Sequence, residues 1–66
     1  MMTYTISTDA CMMDDFEAID LSDALDQFGE APAHVRDADA FATWLNRIGG
    51  YGYIEEDGVR IVNVRS

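Results

Sequence analysis

Apolar and polar residues alternate strictly at the start of the chain. In MTYTIS, Met2, Tyr4 and Ile6 interleave with Thr3, Thr5 and Ser7, the period-two pattern of a strand that buries one face. The period then changes. Leu21, Ala24, Leu25 and Phe28 recur at i, i+3, i+4 and i+7, with Asp20 placed as an N-cap and Gly29 as a stop, which predicts a helix over residues 21–28. Extended backwards, that helix would leave Phe16 and Ile19 off its apolar stripe. Residues 9–19 are therefore expected to form a loop with a separate turn.

Pro32, in GEAPAHV, interrupts any continuing helix. Beyond it, RDADAFATWLNRIGG offers Asp37 as N-cap, Asp39 in the first turn, Arg47 in the last turn and Gly49 as stop, around an apolar stripe of Phe41, Trp44, Leu45 and Ile48. This predicts a second helix. In YGYIEEDGVRIVNV, aromatic and β-branched runs flank a turn supplied by Asp57 and Gly58, which reads as a hairpin. A two-residue turn would pair Glu55 with Arg60; a three-residue turn with a bulge at Gly58 would shift the register. The sequence is compatible with both.

The element order is thus β-α-α-β-β in a single α+β domain over residues 1–66. A two-stranded hairpin is marginal alone, so the first strand is expected to join it in a three-stranded antiparallel sheet with both helices on one face. Trp44, Phe41, Leu45, Ile6, Tyr4, Ile54, Ile61 and Val62 are the expected core.

Composition narrows the function. A chain of 66 residues buries only about 60% of its unfolded surface, and an apolar fraction of 48% is sufficient for folding without a disulfide or metal staple. Cys11 has no second cysteine to pair with, consistent with a reducing compartment. No apolar run reaches the roughly 18 to 20 residues of a membrane span, and the N-terminus lacks the basic flank and apolar core of a signal peptide. The expected location is the cytoplasm.

Thirteen acids against four arginines set a formal charge of −9. The charge is uneven: residues 1–35 carry −8 with no basic side chain, and residues 36–66 carry −1 and all four arginines. Such a field repels nucleic acid and anionic membranes and attracts basic surfaces at long range. The expected partner is a basic protein rather than nucleic acid or membrane.

Catalytic chemistry finds little support. General acid–base or nucleophilic catalysis needs partnered side chains, commonly with a His or an activated Cys or Ser. Here His34 lies in the Pro-containing loop and Cys11 in an acidic one, where negative neighbours disfavour the thiolate. One Cys and one His fall short of a zinc site. Neither DDFEAID nor EEDG has the ligand alternation or the glycine of a calcium loop. A glycosidase carboxylate pair would lack a cleft at this size, and GGYGY lacks the lysine and helix of a phosphate loop. No enzymatic activity, cofactor or metal is expected.

The acids themselves are the strongest feature. Asp20, Asp23, Asp26 and Glu30 follow at spacings of three, three and four, which recur on or near one side of a helix. Like charges so placed destabilise a helix by roughly 0.2 to 0.5 kcal/mol per pair, only partly offset by Asp20 at the positive end of the dipole. Asp outnumbers Glu nine to four although Glu is the better helix former; short Asp side chains hold charge near the backbone and favour a fixed pattern. Helical rise puts these carboxylates about 4.5 to 6 Å apart along the axis, comparable to the spacing of phosphates in nucleic acid, where rise per nucleotide is about 3.4 Å. A basic groove that neutralises phosphates would accept such a row. On charge alone, a solvated, solubilising face explains the run equally well.

MMDDFEAIDLSDALDQFGE followed by FATWLNRIGGYGYIEEDGVRIVNV resembles the phage-encoded inhibitors of bacterial immunity, the anti-CRISPR and antirestriction DNA mimics. It is similar in particular to small acidic anti-CRISPR proteins acting on type I systems, such as type I-C. The resemblance rests on size, charge and the absence of a catalytic set, and carries no motif that transfers residue by residue. It implies an inhibitor acting in the bacterial host cytoplasm as a monomer. Its target would be a Cascade-like surveillance complex, at the surfaces that recognise the protospacer-adjacent motif or hold target DNA. Asp14, Asp15, Glu17, Asp20, Asp23, Asp26 and Glu30 would form the mimic row, with Glu55, Glu56 and Asp57 at the hairpin tip as a secondary acidic spot. The alternative is a small acidic interaction module, antitoxin-like or accessory, that docks through Met12, Met13, Phe16 and Ile19.

Overall fold

The computed structural model describes residues 1–65. The elements run β1 (Met2–Thr8), β2 (Met12–Ala18), α1 (Leu21–Phe28), α2 (Ala38–Ile48), β3 (Gly52–Glu56) and β4 (Val59–Val64). All strand pairs are antiparallel, in the order β2-β1-β3-β4. The domain is α+β with two helices, as expected, but the sheet has four strands rather than three and the order is β-β-α-α-β-β.

The additional strand is β2, in the segment expected to be a loop. It pairs Met2 with Ala18 and Tyr4 with Phe16, but Ile6 with Met13. Asp14 and Asp15 of β2 therefore oppose Thr5 alone, which is a β-bulge, and Asp15 has φ 49°. Met13 and Phe16 pair with inward-facing residues although they are three apart. That spacing does not match a strand's period of two, and it hides the strand from a pattern reading.

Tyr4, Ile6, Ala18, Ile54, Val62 and Val64 alternate onto one face of the sheet and are buried. α1 contacts β1 and β2, and α2 contacts β4. Ala24, Leu25 and Phe28 of α1 and Phe41 and Leu45 of α2 complete the core. Val35, from the connection between the helices, is also buried, above a turn in which its N–H bonds Pro32 O at 2.9 Å. Trp44 is half-buried at the margin of the stripe and meets Phe41 edge-on, with ring centroids 5.9 Å apart.

Both helices begin and end where capping chemistry places them. Asp20 and Asp37 accept from Asp23 N and Ala40 N, and Gly29 and Gly49 close the helices in the left-handed region.

The hairpin takes the two-residue turn. Asp57 at φ 50° and Gly58 at φ 82° both lie at positive φ, the type I′ geometry that matches strand twist. Glu55 pairs with Arg60 and Glu56 with Val59. Between Ile54↔Val62 and Glu55↔Arg60 the register shifts, leaving Ile61 as the extra residue of a second bulge. Ile61 was expected in the core; the bulge turns it out, and it is 39% exposed.

Candidate functional site

The predicted acidic row divides between β2 and α1. Asp14 and Asp15 form the bulge on the outer strand of the sheet, and Thr5 of β1 holds them in place. The Thr5 hydroxyl donates to Asp14 Oδ1 at 2.7 Å and accepts from Asp15 N at 3.1 Å. Thr5 lies on the face away from the helices, yet is only 4% exposed. Glu17 pairs across from Thr3 on that same open face and is exposed.

Asp20 and Asp23 serve the start of α1. Asp20 Oδ1 accepts from Asp23 N at 2.9 Å, and Asp23 Oδ2 accepts from Ile19 N at 2.9 Å and from Gln27 Nε2 at 3.3 Å. This reciprocal pattern is close to a capping box, with aspartate in the Glu/Gln position. Gln27 also donates to Glu17 O at 3.0 Å, tying α1 to the outer edge of β2. Asp20 is exposed and Asp23 half-buried.

Asp26 departs from the rest of the row. The Arg36 guanidinium forks onto both its carboxylate oxygens and also reaches Ser22 Oγ. The hydrogen bond from Arg36 holds the Asp26 carboxyl below its ordinary range. Asp26 is thus locally neutralised, and no spacing in the sequence announces a partner ten residues away. Glu30 is exposed just beyond α1.

Each residue of the secondary acidic spot has a structural partner. Glu55 pairs with Arg60 at 2.9 Å, and the Arg60 guanidinium carbon lies 3.8 Å over the Tyr53 ring. Glu56 accepts from the buried Tyr4 hydroxyl at 2.8 Å. Burial, reinforced by that hydrogen bond, pushes the Tyr4 phenol well above its ordinary range. Asp57 Oδ1 accepts from Thr3 N at 2.9 Å and Asp57 N donates to Thr3 O at 2.7 Å, stitching the hairpin tip to β1.

Among the described residues, Asp26 and Glu55 are the two of thirteen acids engaged in ion pairs. Asp14, Asp15, Glu17 and Asp20 are all exposed, three on the outer strand and one at the helix N-terminus, and among the described residues none has an arginine partner.

Cys11 is half-buried and free in the β1–β2 connection, and His34 is exposed in the loop before α2. Among the described residues no three His, Cys, Asp or Glu side chains are grouped to hold a metal ion, and no helix is long and apolar enough to cross a membrane. Comparison with family models, with curated proteins and with solved structures returned no match.

Proposed function

We propose that this protein is an inhibitor of bacterial CRISPR immunity that mimics nucleic acid, using its acidic edge to occupy a basic DNA-binding surface of a type I surveillance complex. The observation that carries the reading is the exposed run Asp14, Asp15, Glu17 and Asp20, which has no ion pair of its own. A strand advances about 3.3 Å per residue, close to the rise of about 3.4 Å per nucleotide along one strand of DNA. Three carboxylates within Asp14–Glu17 thus give a charge density near that of a phosphate backbone. The Thr5 hydroxyl and the helix N-terminus hold the Asp14 and Asp20 carboxylates, and Thr5 fixes the Asp15 backbone, before binding, which lowers the entropy lost on docking. The basic surface would release counterions to this edge as it does to DNA. The target itself is inferred from the resemblance in size and charge.

The test is a variant that removes charge and keeps shape: Asp14→Asn, Asp15→Asn, Glu17→Gln and Asp20→Asn together. Asn tolerates the positive φ at position 15 and caps a helix at position 20. Loss of inhibition in a variant with an unchanged circular dichroism spectrum is expected. Full inhibition by that variant sinks the reading.

The competing reading, an interaction module that docks through apolar surface, rests on Met12 and Ile19, 53% and 70% exposed at either end of β2. Met13 and Phe16 are partly buried and packed against the core. Two separated side chains supply little of the roughly 800 Å² per partner of a standard interface. Binding that weakens little between low and high salt would favour this reading over the acidic edge.

A further inference from the structure

The strand order puts β3 and β4 on the side of the sheet away from the acidic strand β2. On the open face there, at the end remote from the hairpin tip, is a hollow of about 250 Å³. Ser7, Tyr53 and Asn63 cross its floor from β1 to β4, and Tyr51 and Arg65 rise from beyond the strand ends. Gly52 sits where β1 and β3 approach so closely that a Cβ would lie 2.2 Å from Ser7 O.

The lining of this hollow carries one arginine and otherwise neutral side chains. None of the thirteen acids lines it. Two acids lie beside it: Asp9 donates its N–H to Tyr51 O at 2.9 Å and holds its carboxylate against Gly50, where a Cβ would lie 3.2 Å from it, and Glu55 is paired with the Arg60 that covers Tyr53. Arg65 makes no ion pair among the described residues, whereas Arg36 and Arg60 both have carboxylate partners. Tyr53 is fixed by Arg60 stacked on its ring, and Arg60 is in turn held by Glu55. A fixed aromatic ring, a second tyrosine, an amide, a hydroxyl and a guanidinium with no ion pair among the described residues therefore line one concave site.

We propose that this hollow binds a small aromatic anion, a planar ring bearing a carboxylate or phosphate group. The ring lies against Tyr51 and Tyr53, where stacking and apolar contact stabilise it, and the anionic group meets Arg65, which recognises carboxylate and phosphate through paired N–H donors. Asn63 and Ser7 supply hydrogen bonds at the floor. The protein's net charge opposes anions at long range, so recognition is confined to short-range contacts. This site is independent of the acidic edge.

The experiment is an amide chemical-shift titration of isotope-labelled protein with phenyl phosphate and benzoate, with inorganic phosphate and phenol as controls. Saturable shifts confined to residues around 7, 51–53 and 63–65 are expected for at least one aromatic anion. Arg65→Gln should weaken that binding about tenfold or more, as loss of a charge-assisted hydrogen bond implies, and Tyr51→Ala should also weaken it. Both positions are exposed, and an unchanged amide spectrum elsewhere verifies that each variant folds. If both aromatic anions act, the site accepts either anionic group; if one acts, the site is specific for it. Absence of saturable shifts at these residues, equal binding of inorganic phosphate or phenol, or binding unchanged by both variants overturns the proposal.

Discussion

Thr5 shows how a single side chain supports the acidic strand. Alternation from Tyr4 and Ile6 places it on the face away from the helices, and it does lie there. Its near-complete burial comes from the Asp14–Asp15 bulge, to which its hydroxyl both donates and accepts. Thr5→Val keeps the shape and removes both bonds, leaving Asp15 N–H and the Asp14 carboxylate to find water. The expected loss is about 1 to 3 kcal/mol in denaturant unfolding, with amide shifts concentrated at residues 13–16. Tyr4, the adjacent residue on the opposite face of β1, makes a comparable contact. Tyr4→Phe removes the hydrogen bond to the Glu56 carboxylate, and a stability loss of about 1.5 to 3 kcal/mol is expected. The raised Tyr4 pKa fixes the sign of the pH dependence. Its neutral form is favoured by folding, so this contribution is whole below the ordinary phenol value of 10.0 and is lost as pH rises above it. The stability gap between wild type and Tyr4→Phe should therefore narrow above pH 10, which alkaline unfolding curves measure.

The elements divide into those whose signals are local and those that depend on pairing. Both helices are legible because the caps Asp20, Gly29, Asp37 and Gly49 bracket stripes of period 3.6. The hairpin is legible for the same reason, Asp57-Gly58 being a turn signal in itself. Its register is not set by local signals alone: Asp57 is also held by Thr3, fifty-four residues away. β2 was illegible on two counts: its acids have low strand propensity, and its bulge sets Met13 and Phe16 three apart. The bulge at Ile61 likewise exposed a residue that strict alternation puts inside. Sheet closure also places one strong demand on β3. A Cβ at Gly52 would lie 2.2 Å from Ser7 O and 3.0 Å from Thr8 Cα, both backbone atoms that cannot swing aside. Gly52→Ala is expected to destabilise by about 1 to 3 kcal/mol, the range of overpacking, measured by thermal unfolding. Gly58, at φ 82° but with open space around its Cβ position, should be strained by substitution without that steric clash.

At the scale of the molecule, strand order converts a charge asymmetry along the chain into one across the sheet. β2, with Asp14, Asp15 and Glu17, is one outer strand; β4, whose one charged residue is Arg60, is the other. The sequence made the asymmetry visible, but the expected loop over residues 9–19 put Asp14, Asp15 and Glu17 off the outer strand that carries them. It also could not reveal that Asp26 is spent on Arg36, or that Glu56 and Asp57 secure β1. The longest dimension, 31 Å, equals about nine nucleotide steps at 3.4 Å each, which under the proposed mimicry bounds the length of DNA displaced. Electrostatic competition over such a span is strongly salt-dependent. The most direct measurement is a gel-shift competition in which the protein is titrated against a type I-C surveillance complex and its target DNA at low and high salt. The account predicts loss of the DNA shift at low salt, relief at high salt, and no loss with the Asp14→Asn, Asp15→Asn, Glu17→Gln and Asp20→Asn variant. A DNA shift left intact by excess wild-type protein at low salt would contradict it.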